Sequence, residues 1–343
     1  MRASYLPSLT LDEYLRVVAT VHPQLHAVLD FERPGAARAL GVLAATSSEF
    51  DSDRGGRGDS YRRAQQDALV RWTGIRALLG LLAPDPAAGP PLLLDVLGGD
   101  GTVARAAAGR LGSLDSKPTI ITGDLSGQMV DRALAQGLPA VRQAAQFLFL
   151  RAESVDGVLL AYGTHHIDPA DRPRAVAEAV RVTRPGGRIV LHDFDDDGPM
   201  AGFFARVVHP HAAGGHAYRH FTRSGLAALF ADAGLAVRVL DLYDPLVVRA
   251  GGEPEAKERM CRYVGDMYGV GAHFAALEDV EAAWRLLERH FDHGTPRHWD
   301  PSVPSRPVVH RRDGMYVAEV PRMALVAVAT KPATPARRLG DQP

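Results

Sequence analysis

The sequence is nearly without cysteine: Cys261 is the only one in 343 residues. A lone thiol excludes an internal disulfide framework and any cysteine-clustered zinc site, and it leads us to expect a reducing, cytoplasmic setting. Charge of one sign is equally scarce. With 39 basic against 40 acidic residues the formal net charge is -1, which gives no support to a nucleic-acid or anionic-membrane partner. No run approaches the roughly eighteen uncharged apolar residues that a membrane span needs, so none is expected. The opening "MRASYLPSLTLDEYLRVV" lacks the apolar core and small-residue cleavage site of a signal peptide and is expected to be mature protein. There is no internal repeat.

What is present is ordinary globular material, 46% hydrophobic and 23% charged, enough to bury a large core. Residues 9–30 carry apolar side chains at helical spacing after a Thr10 cap, with a break expected at Pro23. The glycine- and charge-rich stretch 47–60 reads as an exposed loop. After it, 61–84 predicts one long helix with Ala68, Leu69, Trp72, Ile75, Leu78 and Leu79 on one face, capped by Asp59 or Ser60. From residue 91 the rhythm changes to greasy strands alternating with amphipathic helices. Strands apolar throughout need both faces covered, so the expected fold class is α/β, a doubly wound parallel sheet. The expected organisation is a helical extension or lid over 1–60, a core over 61–249 and a helical cap inserted over 250–313. Closing strands of the core over 314–331 and a disordered tail over 332–343 complete it.

The first strand runs into "LDVLGGDGTVARA", a glycine turn that opens a helix. Such a turn lets backbone N–H groups approach a ligand. Its spacing cannot supply G-x-G-x-x-G. It fits D-x-G-x-G-x-G instead, with Asp95 in the strand, Gly98, Gly99 and Gly101 in the turn, and Leu97 where the first glycine belongs. If the backbone there needs a positive φ, the leucine is strained. Asp124 follows the second strand, about twenty residues beyond the glycines, where a carboxylate reaches a ribose hydroxyl. The other reading makes it the cap of a helix starting near Ser126, a task Ser126 can perform itself.

At this point the chain resembles the class I S-adenosylmethionine-dependent methyltransferases over about residues 60–245. "LDVLGGDGTVARA", "IITGDLSGQMVDRA", "DGVLLAYGTHHI" and "AVRVTRPGGRIVLHDF" are similar to four of that family's motifs, in order. The resemblance implies a Rossmann-like seven-stranded sheet with the helical cap before its last strand, and S-adenosylmethionine as cofactor. It also implies a site in which Asp95, Leu97, Gly98, Gly99 and Gly101 surround the cofactor. Asp124 would hold its ribose; beside these, Leu125 is a candidate cofactor contact, and Tyr162 either offers its ring to the cofactor or merely packs. Family members often carry an acidic residue for the adenine; here only Gln143, Gln146 and Glu153 stand nearby.

The acceptor would sit outside the carboxyl ends of the strands. His165, His166, His216, His220 and Tyr218 are the catalytic candidates, imidazole being a suitable base near neutral pH. If 216–222 is helical, His216 and His220 share a face that suits a divalent metal, with Asp193 or Asp195 as third ligand. The competing reading is a polar lid of hydrogen-bonded histidines, including His209 and His211, and the adopted expectation is no metal. Arg62, Arg63 and Trp72 could reach the site, and His290, His293, His298 and Trp299 could add acceptor contacts from the cap or form a solvated loop. The expected activity is methyl transfer to O, N or C of a small molecule in bacterial specialised metabolism, with no nucleic-acid or membrane partner and a homodimer admitted by the cap. The alternatives are a non-methylating reaction on the same cofactor, or a non-catalytic binding protein. Leu97 is expected not to abolish cofactor binding, so Leu97→Gly should improve it by no more than about 1–2 kcal/mol.

Overall fold

The computed structural model describes residues 4–46, 50–51, 58–82, 89–110, 117–294 and 300–333. Helix α1 (Leu11–Val21) starts from a capping box between Thr10 and Glu13 and stops before Pro23, which opens α2 (Pro23–Val28). Helix α3 (Ala36–Ala45) follows. The Tyr5 and Tyr14 hydroxyls donate to the carbonyls of Arg142 (2.6 Å) and Ala140 (2.8 Å), which pins α1 to the outer edge of the main sheet, while Phe50 at the end of the same extension reaches the cavity described below.

The long helix expected over 61–84 is broken. Helix α4 (Gly58–Gln65) ends at Gln65, a single tight turn covers Ala68–Arg71, and α5 (Trp72–Leu82) resumes. Asp59 lies inside the first turn of α4 and Ser60 after it, so neither caps the helix. Gln65 is buried and its Oε1 accepts from the Arg71 guanidinium (2.6 Å) and the Thr102 hydroxyl. A buried amide needs such partners, and the break turns Arg71 inward to supply one.

Then come β1 (Leu92–Asp95), α6 (Thr102–Ala108), β2 (Thr119–Asp124), α7 (Gly127–Ala135), β3 (Ala140–Arg142), β4 (Val155–Leu160), α8 (Arg172–Val182) and β5 (Thr183–Phe194). Short helices α9 (Pro199–Phe203) and α10 (His209–His211) flank a wide turn at Phe204–Val208, and α11 (Arg223–Asp232) leads into β6 (Val237–Tyr243). The chain then forms β7 (Leu246–Ala250), α12 (Glu253–Tyr268), α13 (Gly271–Ala275), α14 (Val280–His290), β8 (Val308–Arg312), β9 (Met315–Val320) and β10 (Met323–Thr330).

The main sheet has seven strands in the order β3-β2-β1-β4-β5-β10-β6, with β10 antiparallel to both neighbours. Alternate residues feed opposite faces: Leu94, Val158 and Leu160 enter one core, Leu93 and Leu159 the other. That is the covered-on-both-faces arrangement the continuous apolar strands require.

Two expected boundaries move. Strands β7, β9 and β8 form a separate antiparallel sheet. The sequence pattern assigns β7 to the core and β9 to its closing strands, yet of β7, β9 and β10 only β10 joins the main sheet. The reason is packing: Leu246, Val248, Ala318 and Val320 share an apolar cluster with Met260, Trp284 and Phe291 of the cap helices. The cap thus runs from β7 to β9 and includes α4, whose Arg63 pairs with Asp266 on α12 (2.6 Å). Residues 334–343 of the expected tail lie outside the described residues.

Candidate active site

A cavity of about 130 Å³ opens at the carboxyl ends of the parallel strands. Leu97, Gly99, Asp124, Leu125 and Met129 line one end; His165, His166 and Phe204 line the other; Tyr162 and Gly163 stand between. Of the sequence-selected residues, Leu97, Gly99, Asp124, Leu125, Tyr162, His165 and His166 line this space, whereas Asp95, Gly98, Gly101, His216, Tyr218 and His220 do not.

At the first end the turn after β1 resolves the question of Leu97. Gly99 and Gly101 occupy left-handed backbone (φ 60° and 91°), whereas Leu97 does not. The leucine is unstrained and half-buried, packed against the main core. Gly98 is required for another reason: a β-carbon there would stand 2.8 Å from Thr122 Cγ2 and 2.9 Å from Asp95 Oδ2. Asp124 accepts from the backbone N–H of Gly99 (2.9 Å) and of Ser126 (2.8 Å), while the Ser126 hydroxyl caps α7 by accepting from Met129 N–H (3.1 Å). Asp124 ties the two loops together and is not the cap. Burial raises its carboxyl to about 6, against the pull of those two N–H groups, with Asp51 and Asp100 adding repulsion. Burial, then the Asp124 charge, raises Asp95 to about 7. Gln143 is buried with its amide oxygen on Phe149 N–H (3.0 Å), and Gln146 turns to Asp171 (3.3 Å).

Tyr162, at the end of β4, sits in left-handed backbone (φ 59°), a conformation that costs a non-glycine residue about 1–3 kcal/mol and concentrates at functional sites. Its ring is held between the Arg71 guanidinium (4.7 Å) and His192 (4.6 Å), and its hydroxyl donates to Asp244 (3.3 Å). Asp244 in turn pairs with Arg322 (2.6 Å), both fully buried, and Arg322 donates to the Tyr268 hydroxyl (3.2 Å).

At the far end, residues 216–222 are not helical, but the histidines still meet. Nε2 of His216 and Nε2 of His220 are 3.3 Å apart. The third member of the group is His165, not a carboxylate. Asp193 stands behind, accepting from Nδ1 of His165 (3.0 Å) and of His220 (3.1 Å), from the Thr164 hydroxyl and from the N–H groups of His165 and Phe194 (2.7 Å each). Those donors hold its carboxyl well below the ordinary range despite burial. Burial drags His165 down to about 4, with Asp193 opposing, so at neutral pH it is a neutral imidazole. Phe204 stacks on His216 (4.1 Å), and Arg172 clamps the carbonyls of Ile167, His165, Arg219 and His220. Tyr218 is exposed at the rim with its ring 4.2 Å from His166.

Several expected contacts go elsewhere. Arg62 pairs with Asp59 and Arg63 with Asp266, and Trp72 faces a different groove, because the break after α4 rotates that stretch. Tyr61 and Arg71 take their place. Asp195 lies on the strand end without joining the histidines; its carboxylate accepts from Asp197 N–H (3.3 Å). His209 Nδ1 accepts from His216 N–H, His211 stacks on His273, His290 packs on Phe203, and His293 approaches the Pro321 carbonyl. His298 and Trp299 lie outside the described residues. Sequence reasoning missed Arg71, Arg172, Asp244, Tyr268 and Arg322. None of them stands in a motif, and a single charged or aromatic residue beside apolar neighbours, as at Arg71 or Tyr268, is common.

Residues 94–191 match the model of a methyltransferase domain. The ubiquinone/menaquinone biosynthesis C-methyltransferase UbiE of Ruegeria sp. (strain TM1040) is 28% identical over 181 residues, 51% of this chain and 66% of that protein. The UbiE of Brucella abortus (strain S19) is 32% identical over 145 residues, 39% of this chain and 47% of that one. The matched part thus spans less than two thirds of these relatives' own length. Among solved structures, the YcgJ protein of Bacillus subtilis has a TM-score of 0.46 at 16% identity, covering 76% of this chain and 99% of that one. Phosphoethanolamine N-methyltransferase 2 of Haemonchus contortus, solved with S-adenosyl-L-methionine, has 0.49 at 13%, covering 84% and 61%. The strand order and the glycine turn agree with that match, and residues 94–191 are similar to a methyltransferase domain.

Proposed function

We propose that the chain transfers the methyl group of S-adenosylmethionine to a small-molecule acceptor of bacterial specialised metabolism, with carbon ahead of oxygen and nitrogen as the acceptor atom. The observation that carries this reading is the continuity of the cavity from Gly99 and Asp124 to His165 and His166. A donor at one end and an acceptor at the other would face each other across Tyr162. Carbon is put first because the relatives in Ruegeria and Brucella are named C-methyltransferases.

The cofactor would supply a sulfonium methyl open to in-line displacement, so the protein's work is alignment and exclusion of water. The Asp124 carboxylate suits a ligand with a ribose diol, and Leu97, Leu125 and Met129 form the apolar wall. Tyr162 is held rigid by Arg71, His192 and Asp244, which fixes the middle of the cavity. His166 faces the acceptor end, with Tyr218 closing its outer side. His165, neutral and bound to Asp193, positions rather than takes a proton. At about 130 Å³ the cavity is smaller than the roughly 300–1,000 Å³ of small-molecule sites, so its lining would have to move to admit both ligands.

Titration calorimetry tests the first half: the wild type should bind S-adenosylmethionine and its demethylated product, and Asp124→Ala should bind both far more weakly. Cell extracts supplied with a labelled methyl donor test the second, a labelled small molecule being the expected result. Protein that ignores both cofactor forms at millimolar concentration sinks the proposal.

A further inference from the structure

We infer that His165, His216 and His220 form a site for one divalent first-row transition metal of the zinc class, at the acceptor end of the cavity. All three are buried, and a ring nitrogen from each lies within 4.8 Å of the others. Two nitrogens bound about 2.0–2.1 Å from a common tetrahedral centre stand about 3.4 Å apart; Nε2 of His216 and Nε2 of His220 stand at 3.3 Å.

The tautomers agree. Asp193 is a carboxylate with acceptor oxygens only, so the Nδ1 atoms of His165 and His220 carry the hydrogens it receives. Each ring then turns a lone pair on Nε2 away from Asp193. A carboxylate behind the imidazole is the usual outer partner of a metal-binding histidine, fixing ring orientation and raising basicity. Phe204 stacked on His216 and Arg172 bracing the backbones of His165 and His220 hold the remaining freedom. Three nitrogen donors without a carboxylate among them select zinc, cobalt or nickel over magnesium or calcium. His165 also lines the cavity, so the fourth position would face an acceptor oxygen such as a carbonyl. The rival arrangement is a hydrogen bond from His216 Nε2 to His220 Nε2 with no ion.

The inference does not depend on methyl transfer and is tested without the methyl donor. Full-length protein, stripped with chelator and dialysed, is titrated with cobalt(II) alone. The expected result is one equivalent bound with a four- or five-coordinate absorption spectrum. Binding should weaken about 10–100-fold in Asp193→Asn, vanish in His216→Ala and His220→Ala, and persist in His211→Ala, an exposed imidazole outside the group. Circular dichroism establishes that each variant is folded. Should the two cluster variants fail to fold, X-ray absorption of zinc-loaded wild type decides: a shell of about three nitrogens at about 2.0 Å supports the site, and a shell of oxygen alone overturns it. Wild type that binds no cobalt saturably, or variants of His216 and His220 that bind as tightly as wild type, also overturn it.

Discussion

The two ends of the cavity are built in different ways. At the donor end, Leu97, Gly99, Asp124 and Leu125 come from two consecutive strand–helix turns, and the backbone itself does most of the shaping. At the acceptor end, His165, Phe204, Tyr268 and Arg322 come from four separate stretches, held by side chains that answer one another across the cap. Local geometry governs the first and tertiary packing the second. Perturbations should therefore behave differently at each.

The largest effect is expected where the cap meets the sheet. Asp244 accepts from Arg322 Nε on its carbonyl (2.8 Å) and from Nη2 on its carboxylate (2.6 Å), and both side chains are shut off from water. Asp244→Ala leaves a buried guanidinium without its partner, and such a loss costs about 3–5 kcal/mol. Denaturant unfolding should show it directly. Binding of S-adenosylmethionine to the fraction still folded should fall much less; an equal fall would mean the two ends are one cooperative unit.

Gly98→Ala presses from the other side. Its β-carbon would stand 2.8 Å from Thr122 Cγ2 and 2.9 Å from Asp95 Oδ2, both buried side chains that must shift, an overpacking cost of about 1–3 kcal/mol. This change should weaken cofactor binding together with stability, because the turn must shift to relieve it. Calorimetry and thermal melting on the same sample compare the two losses.

How much of this was readable beforehand follows the same division. The alternation of strands and helices and the glycine turn were legible because each depends on residues close in sequence, where spacing dictates which face or turn a side chain occupies. The meeting of His216 with His220 was anticipated on the wrong ground, a helix at 216–222. A non-helical segment passing Phe204 and Arg172 brings them together instead. The inward turn of Arg71 was invisible, since the apolar stripe over 68–79 reads as one uninterrupted helix. At the break, buried Gln65 accepts from Arg71 and Thr102. Likewise β9 reads as an ordinary closing strand until the cap helices offer it another partner.

A carboxylate raised to about 6 gives the donor end a pH signature. The ionised form of Asp124 is the one that accepts ribose hydroxyls, and its folded, cofactor-free form gains a proton as pH falls through about 6. Affinity for S-adenosylmethionine should then be level above that value and drop about tenfold per unit below it. Burial, Asp51 and Asp100 favour the proton; the N–H groups of Gly99 and Ser126 oppose it. Asp124→Asn should lose about 1.5–3 kcal/mol of binding, as for a hydrogen bond to a charged group, and flatten the profile. A profile of unchanged slope in the variant would assign the titration to Asp95.

The smallest effect is the sharpest test of the local end. Leu97 stands at the position where a positive φ had been the concern, and had the backbone been left-handed, Leu97→Gly would relieve strain and improve cofactor binding. The left-handed positions are Gly99 and Gly101 instead, so no strain exists at 97 to release. The substitution removes a side chain that packs on the core and lines the cavity. It also adds backbone freedom to the unfolded chain, at about 0.5–1 kcal/mol. Leu97→Gly should thus lower stability slightly and leave affinity for S-adenosylmethionine the same or weaker. A clear gain in affinity by calorimetry would show that the turn rearranges when the cofactor enters, and that the donor end is less preformed than its neighbouring glycines suggest.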